Sequence, residues 1–548
     1  MNKLSVSKYL APLAAIWFVT PLYAQQPADK PAAPPVGTPP AAPPAAEFPA
    51  PAPPPVSPAA EPAPQPPPIA APSPAPAWGP PPSAPAPIAP IAPPAVVSAE
   101  LPAAATDETK APSWFSRPPL AITIGEGAKK FALTFFGFVE ADYIYDSTRS
   151  YGDAIGRSLV ARDDTYEGRA GRSQFSMRNT RLGLAFDSPV VDGVKPAALI
   201  EGDFFGNGEN SGSEAALYGS PTFRVRQAYL SLKNDYVDVL AGQSYDVFGW
   251  QNYFFPCSLE FLGLPNQLFS RSMQFRLSHS FVDLGPIKLE LAAAAVRPAQ
   301  RDSGTPDANA GLRVSLDGWK GITTPGNTGT LALPASIGVS GTVRRFKVNA
   351  FTPPPAQRSN NTNGWGVSID ALLPVIPAKD SDDRGNRLTL TGSFVTGAGI
   401  GDLIGADGGA TFPTLPNPAQ ANPPPLYDAD IDNGLVSFDT QGVLHAINWR
   451  AVRAGVQYYL PPTGRVIFAA NYTESFSDNM SKLFPKGGAE VELLNRVGNR
   501  SRYGDVNLMW DATPAVRFGI SGQYTWVRYL DNDRPHNLRG MAQALYAF

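Results

Sequence analysis

From about Phe131 onward, the chain consists of segments of about 10 residues in which apolar and polar side chains alternate. In one such segment Val139 and Tyr143 share one face, and Glu140 lies on the other. A period of two predicts β-strands, and about 10 residues is the length that a tilted strand needs to cross a bilayer. The sequence therefore predicts an all-β fold from Phe131 to the end of the chain.

The predicted connections between these strands alternate between short and long. Short turns rich in Pro, Gly and Asp are expected near Asp187–Gly193, Asn234–Tyr236, Asp283–Pro286, Pro461–Gly464 and Asp511–Pro514. Long connections are expected over Ser147–Gln174, Gly206–Pro221, Phe248–Phe269, Arg297–Leu333, Gly397–Ala446 and Ser477–Ser501. Short periplasmic turns and long outer loops are typical of a transmembrane antiparallel β-barrel. Counting the hairpins gives about sixteen strands, enough to leave an aqueous channel.

The last strand of the chain ends on phenylalanine. Tyr546 and Phe548 share one face of this strand, and Arg539 lies on the other. The pattern resembles the C-terminal signal of bacterial outer-membrane barrels, because aromatic side chains suit the border between hydrocarbon and headgroups. We expect this strand to close the barrel by pairing with the first strand near Phe131, with Arg539 in the lumen.

The N-terminal residues 1–24 have the features of a secretory signal peptide. Lys3 and Lys8 precede a short apolar stretch, Leu10–Val19, and a plausible cleavage point follows Ala24. No later window holds enough consecutive apolar residues for a transmembrane helix, so none is predicted.

Residues 25–120 are predicted to form a disordered periplasmic arm ahead of a barrel domain at 121–548. Between Pro27 and Pro94 lie 30 of the 62 prolines of the chain, mixed with alanine. Proline lacks a backbone donor and fixes φ, so this segment favours extended polyproline II structure over helix or sheet. The arm is interpreted either as a passive linker or as a spacer that reaches toward peptidoglycan.

Overall composition argues against several classes of protein. The net charge of -3 gives no basic surface for nucleic acid. Cys257 is the single cysteine, so the exported chain is no disulfide scaffold. The three histidines are scattered along the sequence, and no enzyme activity and no cofactor are predicted.

Several strand sequences resemble the DcaP-like porins, relatives of the general trimeric porins. The resemblance rests on FFGFVEADYIYD, RNTRLGLAF, AALIEGDFFG, VRQAYLSLKNDYVDVLAGQSYDVF, RSMQFRLS and SFVTGAGIGDL, and it extends over roughly Phe131 to Phe548. It implies a homotrimeric channel for small, often anionic, solutes. The chain departs from the family in one respect, because a Pro/Ala-rich arm replaces the coiled-coil segment that usually precedes the barrel.

A ladder of basic residues falls mostly on the polar faces of the predicted strands. Its members are Arg181, Arg224, Arg226, Arg276, Arg345, Lys347, Arg453, Arg465, Arg517 and Arg539. Fixed positive charge in a lumen favours anions over cations. Glu140, Asp142, Glu201 and Asp203 are predicted on the same lumen face. The ladder is therefore interpreted either as an anion-selective pore lining or as wall structure in which arginines pair with acids.

The connection Phe248–Phe269 is unusually apolar and aromatic for a loop of this predicted barrel. Exposing it to water would be costly, at roughly 25 cal/mol per Å² of apolar surface. In general porins the third outer loop folds into the lumen, and the resemblance implies the same here, with Glu260, Phe254 and Phe255 as constriction residues. The alternative is packing against a neighbouring subunit. Cys257 is expected to be a buried thiol.

Asp428, Asp430 and Asp432 are spaced nearly as in a calcium loop, which needs several oxygen ligands. The glycine that follows stands one position late, at Gly434, and Asp439 stands where glutamate is usual. A solvated acidic loop is the favoured interpretation, and no metal site is predicted.

Together these observations predict a porin in the outer membrane of a Gram-negative bacterium. The barrel would contact membrane lipid and conduct small polar, preferentially anionic, solutes by passive diffusion. The alternative is a structural anchor whose Pro-rich arm spans toward or binds the cell wall.

Overall fold

The computed structural model describes residues 120–126, 129–156, 159–206, 221–300, 303–326, 329–349, 359–404, 431, 434–439, 443–483 and 497–548. The predicted signal peptide and nearly all of the predicted arm lie outside these residues.

Twenty strands and two single-turn helices are present in the described part of the chain. The strands are β1 (Leu120–Ile124), β2 (Phe131–Asp146), β3 (Arg172–Ser176), β4 (Arg181–Asp187), β5 (Lys195–Gly206), β6 (Thr222–Lys233), β7 (Asp238–Tyr245), β8 (Arg271–Leu284), β9 (Ile287–Val296), β10 (Asp307–Thr323), β11 (Leu331–Asn349), β12 (Ser359–Ile376), β13 (Arg387–Ala398), β14 (Val436–Phe438), β15 (Leu444–Ala446), β16 (Asn448–Tyr459), β17 (Val466–Phe476), β18 (Gly498–Asp511), β19 (Val516–Tyr529) and β20 (His536–Ala547). The helices are α1 (Tyr166–Arg169) and α2 (Met480–Leu483). Neither of these helices, nor any other among the described residues, has the length and hydropathy of a membrane span.

Sixteen strand positions among the described residues form one closed antiparallel barrel. Two short strands, β3 and β4, lie end to end along β2 and share one position in the wall. The barrel closes where β2 pairs with β20, from Phe138 opposite Ala547 to Asp146 opposite Arg539. Outside this count, β1 pairs with the first residues of β2, and β14 and β15 form a separate two-stranded sheet. The predicted barrel of about sixteen strands is therefore confirmed.

The two ends of the barrel differ in the length of their connections. At one end, here called the turn end, Gly285 and Pro286 alone link β8 to β9. At the other end, here called the loop end, residues 147–171 link β2 to β3 and residues 246–270 link β7 to β8. The strands themselves alternate as predicted, and exposed apolar side chains such as Ile520 and Val506 lie on the outer face.

One strand lies where the sequence predicted a long connection. Residues 307–323, inside the predicted connection Arg297–Leu333, form β10, which pairs with β9 and with β11 along most of its length. Small side chains and Gly311 give this segment a weak strand signal. Backbone pairing on both sides stabilises it regardless, because strand preference depends on neighbours more than on the residue itself.

Candidate functional site in the barrel lumen

The connection Phe248–Phe269, here called the inner loop, lies inside the barrel and spans it from wall to wall. On one side the Trp250 ring packs over Gly338 of β11, where an added Cβ would lie 2.7 Å from the ring. On the other side Leu259 packs over Gly519 of β19, where an added Cβ would lie 2.9 Å from the leucine. Glycine at both positions lets the inner loop approach the wall closely.

Polar contacts hold the inner loop against β17 and β18. Ser258 donates to the carboxylate of Asp505 at 2.6 Å, and the amide of Leu259 donates to Asn507 Oδ1 at 3.1 Å. Asn266 donates to the hydroxyl of Thr473 at 3.3 Å. Buried backbone that lies outside a sheet needs such partners, so the wall residues satisfy the hydrogen bonds of the loop.

Cys257 of the inner loop is fully buried against the wall. It lies beside Ile322, Tyr459, Ile467 and other side chains of one apolar cluster. Burial raises the pKa of its thiol to about 12. A thiol in such surroundings stays protonated at neutral pH and is a poor nucleophile.

Glu260 is buried, and its carboxylate has partners within the protein. The carboxylate accepts from the amide of Ile155 at 3.0 Å and from the Arg539 guanidinium at 3.4 Å. Burial raises the pKa of Glu260, and the nearby Arg539 charge opposes that rise. Glu260 therefore locks the inner loop to β20 and to the connection after β2.

The two aromatic residues predicted at the constriction occupy different surroundings. Phe254 is buried against the wall, in a cluster with Trp250 and Leu372. Phe255 is half-buried and meets Tyr245 and Phe269 edge to face, with ring centroids 5.9 and 5.5 Å away. Both side chains therefore fix the position of the inner loop.

A second segment also packs inside the lumen, and sequence reasoning missed it. From the connection between β2 and β3, Tyr151, Ile155 and Val160 are buried against Leu264 of the inner loop and Tyr503 of β18. The available signal was two short apolar pairs, Ala154–Ile155 and Leu159–Val160, in an otherwise polar connection.

Most arginines of the predicted ladder are paired with carboxylates in the lumen. On β6, Arg226 contacts Glu201 at 2.8 Å and Asp203 at 2.7 Å, while Arg224 contacts Asp203 at 2.6 Å. Arg181 of β4 lies 3.4 Å from Glu201. This cluster matches the alternative in which arginines and acids form wall structure.

Two further ladder arginines are fully buried in ion pairs. Arg517 lies 2.6 Å from Asp511, whose other oxygen accepts from Arg384 at 2.6 Å. Arg539 binds both oxygens of Asp146, at 2.9 and 3.0 Å.

Arg465 and Arg453 take other roles. Arg465 donates to the backbone carbonyls of Asp511, at 3.0 Å, and of Ala512, and so braces a turn. Arg453 is buried and donates to Thr391 Oγ1 at 3.0 Å.

Arg345 and Lys347 do not line the lumen, which corrects the prediction for these two residues. Both are exposed on the same face of β11 as Val343, the outer face. The inward positions belong to Phe346 and Val348, which pack against apolar residues of the connection after β13. The apolar face of this strand end turns inward because the lumen at that level is filled by a loop rather than by water.

The inward cation on β11 is the neighbouring Arg344, which the sequence analysis missed. It contacts Asp307 at 2.8 Å and Asp402 at 2.5 Å. Arg313 of β10, also missed, contacts Glu290 of β9 at 2.6 Å. Strand parity, counted from the apolar Val343, was the signal that separates Arg344 from Arg345.

A polar cavity of about 240 Å³ lies between the inner loop and strands β6 to β9. Tyr229, Lys233, Arg276, Ser278 and Tyr253 contribute to its lining. No carboxylate among the described residues forms a salt bridge with Arg276 or Lys233. These two cations share the cavity with the carboxylates of Asp238, Asp246 and Glu290, of which Glu290 is bridged to Arg313.

The weak calcium candidates Asp428, Asp430 and Asp432 lie outside the described residues. Among the residues with described positions, no group of three or more His, Cys, Asp or Glu side chains is arranged to hold a metal ion.

Comparison with known proteins gives matches among solved structures alone. No protein-family model matches the chain, and no curated protein matches it either. The crystal structure of the outer membrane channel DcaP of Acinetobacter baumannii aligns with 78% of this chain and 99% of its own, at TM-score 0.52 and 17% identity.

Two other solved porins align more loosely. The anion-selective porin from Comamonas acidovorans aligns with 76% of this chain and 100% of its own, at TM-score 0.40 and 11% identity. OprB of Pseudomonas putida aligns with 76% of this chain and 94% of its own, at TM-score 0.41 and 12% identity. The DcaP match establishes a shared fold, and so the resemblance to the DcaP-like porins is confirmed at the level of the fold: this chain has the β-barrel fold of an outer-membrane channel.

Proposed function

We propose that the protein is an outer-membrane porin, a water-filled barrel through which small polar solutes diffuse passively. The observation that carries the proposal is the polar cavity between the inner loop and strands β6 to β9, inside a closed barrel of sixteen strands. Burying charged side chains such as Arg276 in a solidly packed lumen would be costly, whereas beside open space they stay solvated.

The inner loop determines where solutes would pass through the lumen. Cys257 and Leu259 are buried against β17 to β19, so the passage is displaced toward β6 to β9 on the other side. A channel through a cavity of about 240 Å³ would favour small solutes over large ones.

A modest anion preference follows from the charges that remain available. Arg226 and Arg539 are paired with carboxylates, and Arg517 shares Asp511 with Arg384, so these buried clusters add less positive potential than free arginines would. Arg276 and Lys233 line the passage and have no such partner among the described residues. Asp238, Asp246 and Glu290 line the same cavity, and Glu290 is bridged to Arg313, so the anion preference that Arg276 and Lys233 favour would be weak.

Liposome swelling tests this proposal. Liposomes that contain the purified protein should swell in small uncharged sugars, and the rate should fall steeply with solute size. Swelling no faster than that of protein-free liposomes, for every solute, would contradict the proposed function.

The proposal includes a homotrimer in the outer membrane, a cleaved signal peptide at residues 1–24 and a periplasmic arm at 25–120. Short turns are typical of the periplasmic side of such barrels, so the turn end would face the periplasm. Deleting Pro27–Pro94 separates the arm from the barrel. Swelling activity should persist in the deletion variant, while loss of envelope integrity in cells would assign the arm a tethering role.

A further inference from the structure

Arginines are concentrated on the outer face of the barrel at the loop end of β18 and β19. Arg500 and Arg502 point outward from β18, Arg528 points outward from β19, and Arg534 follows in the next connection. We call these four residues the arginine patch. The positive charges of the other three all act on Arg528. Like charges repel, so the patch favours an anionic partner.

Carboxylates do not balance this charge. Glu474 of β17 forms salt bridges with Arg500 and Arg502, the latter at 3.3 Å. Arg528 donates to the neutral amide of Asn499 at 3.0 Å. Within the described part of the chain, Glu474 is the one carboxylate in salt bridges with the patch. The patch therefore keeps a net positive charge on a surface that faces away from the lumen.

The patch lies at one border of the apolar band. Phe518 and Trp526 share the outer face of β19, eight positions apart, which is about 26 Å along a strand. That spacing suits the two aromatic girdles of a membrane barrel, whose apolar band is about 25 Å tall. The Arg502 guanidinium lies over the Trp526 ring at 5.1 Å. The arginines thus stand at the level of lipid headgroups.

A shallow groove of about 620 Å³ lies on the same outer face, next to the arginine patch and on its turn-end side. Its floor includes Gly504, Gly522 and Gly540 of three neighbouring strands, and its rim includes Tyr524 and Leu538. An added Cβ at Gly522 or Gly540 would meet nothing within 4 Å. The packing of the chain itself therefore does not require glycine there, and the groove stays open to an external occupant.

We propose that the arginine patch and the groove together bind a phosphate-bearing lipid of the outer leaflet. The guanidinium groups would hold the phosphates, because their planar fork matches phosphate oxygens. An acyl chain of the same lipid would fill the groove. The groove is within reach because Gly504, in its floor, follows Arg502 by two positions, about 7 Å along the strand. The proposal rests on the proposed membrane orientation, in which the loop end faces outward.

Native mass spectrometry of the full-length protein in detergent tests this site, with lipid A, a bisphosphorylated glycolipid, as the probe. The wild-type protein should retain lipid A, and a double variant R502Q/R528Q should bind it about thirtyfold more weakly. R345Q is the matched control, because Arg345 also lies on the outer face near the loop end but outside the patch. Equal retention of lipid A by the wild type and the double variant would overturn the proposal.

Further binding measurements distinguish the possible partners of this surface. Phosphatidylethanolamine should bind weakly, and inorganic phosphate in excess should displace lipid A only in part, because the groove contributes too. G522L should weaken lipid A binding, since its side chain would occupy the groove. If R502Q/R528Q instead changes the oligomeric mass and leaves lipid retention intact, the surface is a contact between copies of the chain and the lipid proposal is wrong.

Liposome swelling distinguishes this proposal from the proposed function. R502Q/R528Q should swell liposomes as the wild type does, because the patch faces away from the lumen. If the wild-type protein does not swell liposomes but still retains lipid A through the arginine patch, the proposed porin function is wrong and the lipid site is supported.

Discussion

The guanidinium of Arg539, on the last barrel strand, binds both carboxylate oxygens of Asp146, on the first, at 2.9 and 3.0 Å. The two residues stand directly opposite each other in the closing register. Both side chains are almost completely buried. One ion pair thus joins the two ends of the barrel sequence on the lumen side, and Glu260 of the inner loop contacts the same arginine.

Replacing Arg539 with methionine should destabilise the barrel by about 3 to 5 kcal/mol, because it leaves the Asp146 carboxylate buried and unpaired. Urea unfolding followed by tryptophan fluorescence measures the change. The double variant R539M/D146L should recover part of the loss, since it removes both charges. Lys195→Met is the control, because the Lys195–Asp187 pair is half exposed and is worth at most about 1 kcal/mol. Equal effects at the two sites would contradict a special role for the closing pair.

Arg276→Gln should reduce the anion-to-cation permeability ratio by about two- to threefold, because a single screened charge in water acts with less than about 1 kcal/mol. The reversal potential across a bilayer under a salt gradient measures this ratio. Arg345→Gln removes the same charge from the outer face and should leave the ratio unchanged. A larger effect from Arg345 than from Arg276 would contradict the assignment of the two faces.

Deleting Phe548 should impair assembly before it alters conduction. The backbone of Phe548 exchanges two hydrogen bonds with Gly137, at 3.0 and 3.2 Å, and its ring stacks on Phe135 at 5.2 Å. Immunoblots of outer-membrane fractions measure assembly. Tyr236→Ser, which changes an exposed aromatic residue in a turn, serves as the control. Normal outer-membrane levels of the truncated chain would count against this account.

Cys257 should resist thiol reagents in the folded protein. With its pKa raised to about 12 by burial, about one thiol in ten thousand is ionised at pH 8, and access is blocked as well. Labelling with a maleimide, followed by mass spectrometry, should show modification only after denaturation. A cysteine placed at exposed Tyr166 in a Cys257→Ala background should label readily in the folded state. Rapid labelling of native Cys257 would mean that the inner loop leaves the wall.

The sequence was a reliable guide wherever one strand face is apolar and the other polar. Val139 and Tyr143 alternate with Glu140 on β2, and Arg539 faces inward from β20, as their spacing indicated. Such alternation is local, and it fixes which side of a strand faces lipid. The fold class and the approximate strand number followed from it.

Contacts between distant segments were beyond the reach of a local pattern. Phe346 faces inward because Leu435 and Leu444, about 90 residues later, cover it, and so Arg345 faces outward. The pairing of Arg226 with Glu201 and Asp203 likewise depends on neighbouring strands. Which arginines keep a free charge is therefore a property of the assembled barrel.

Conductance of the purified full-length protein in a planar lipid bilayer tests the central claim most directly. The account predicts discrete, stable current steps and a reversal potential of the sign that marks anion preference. A silent bilayer, from protein whose heat-modifiable mobility on gels shows an intact barrel, would contradict the channel itself.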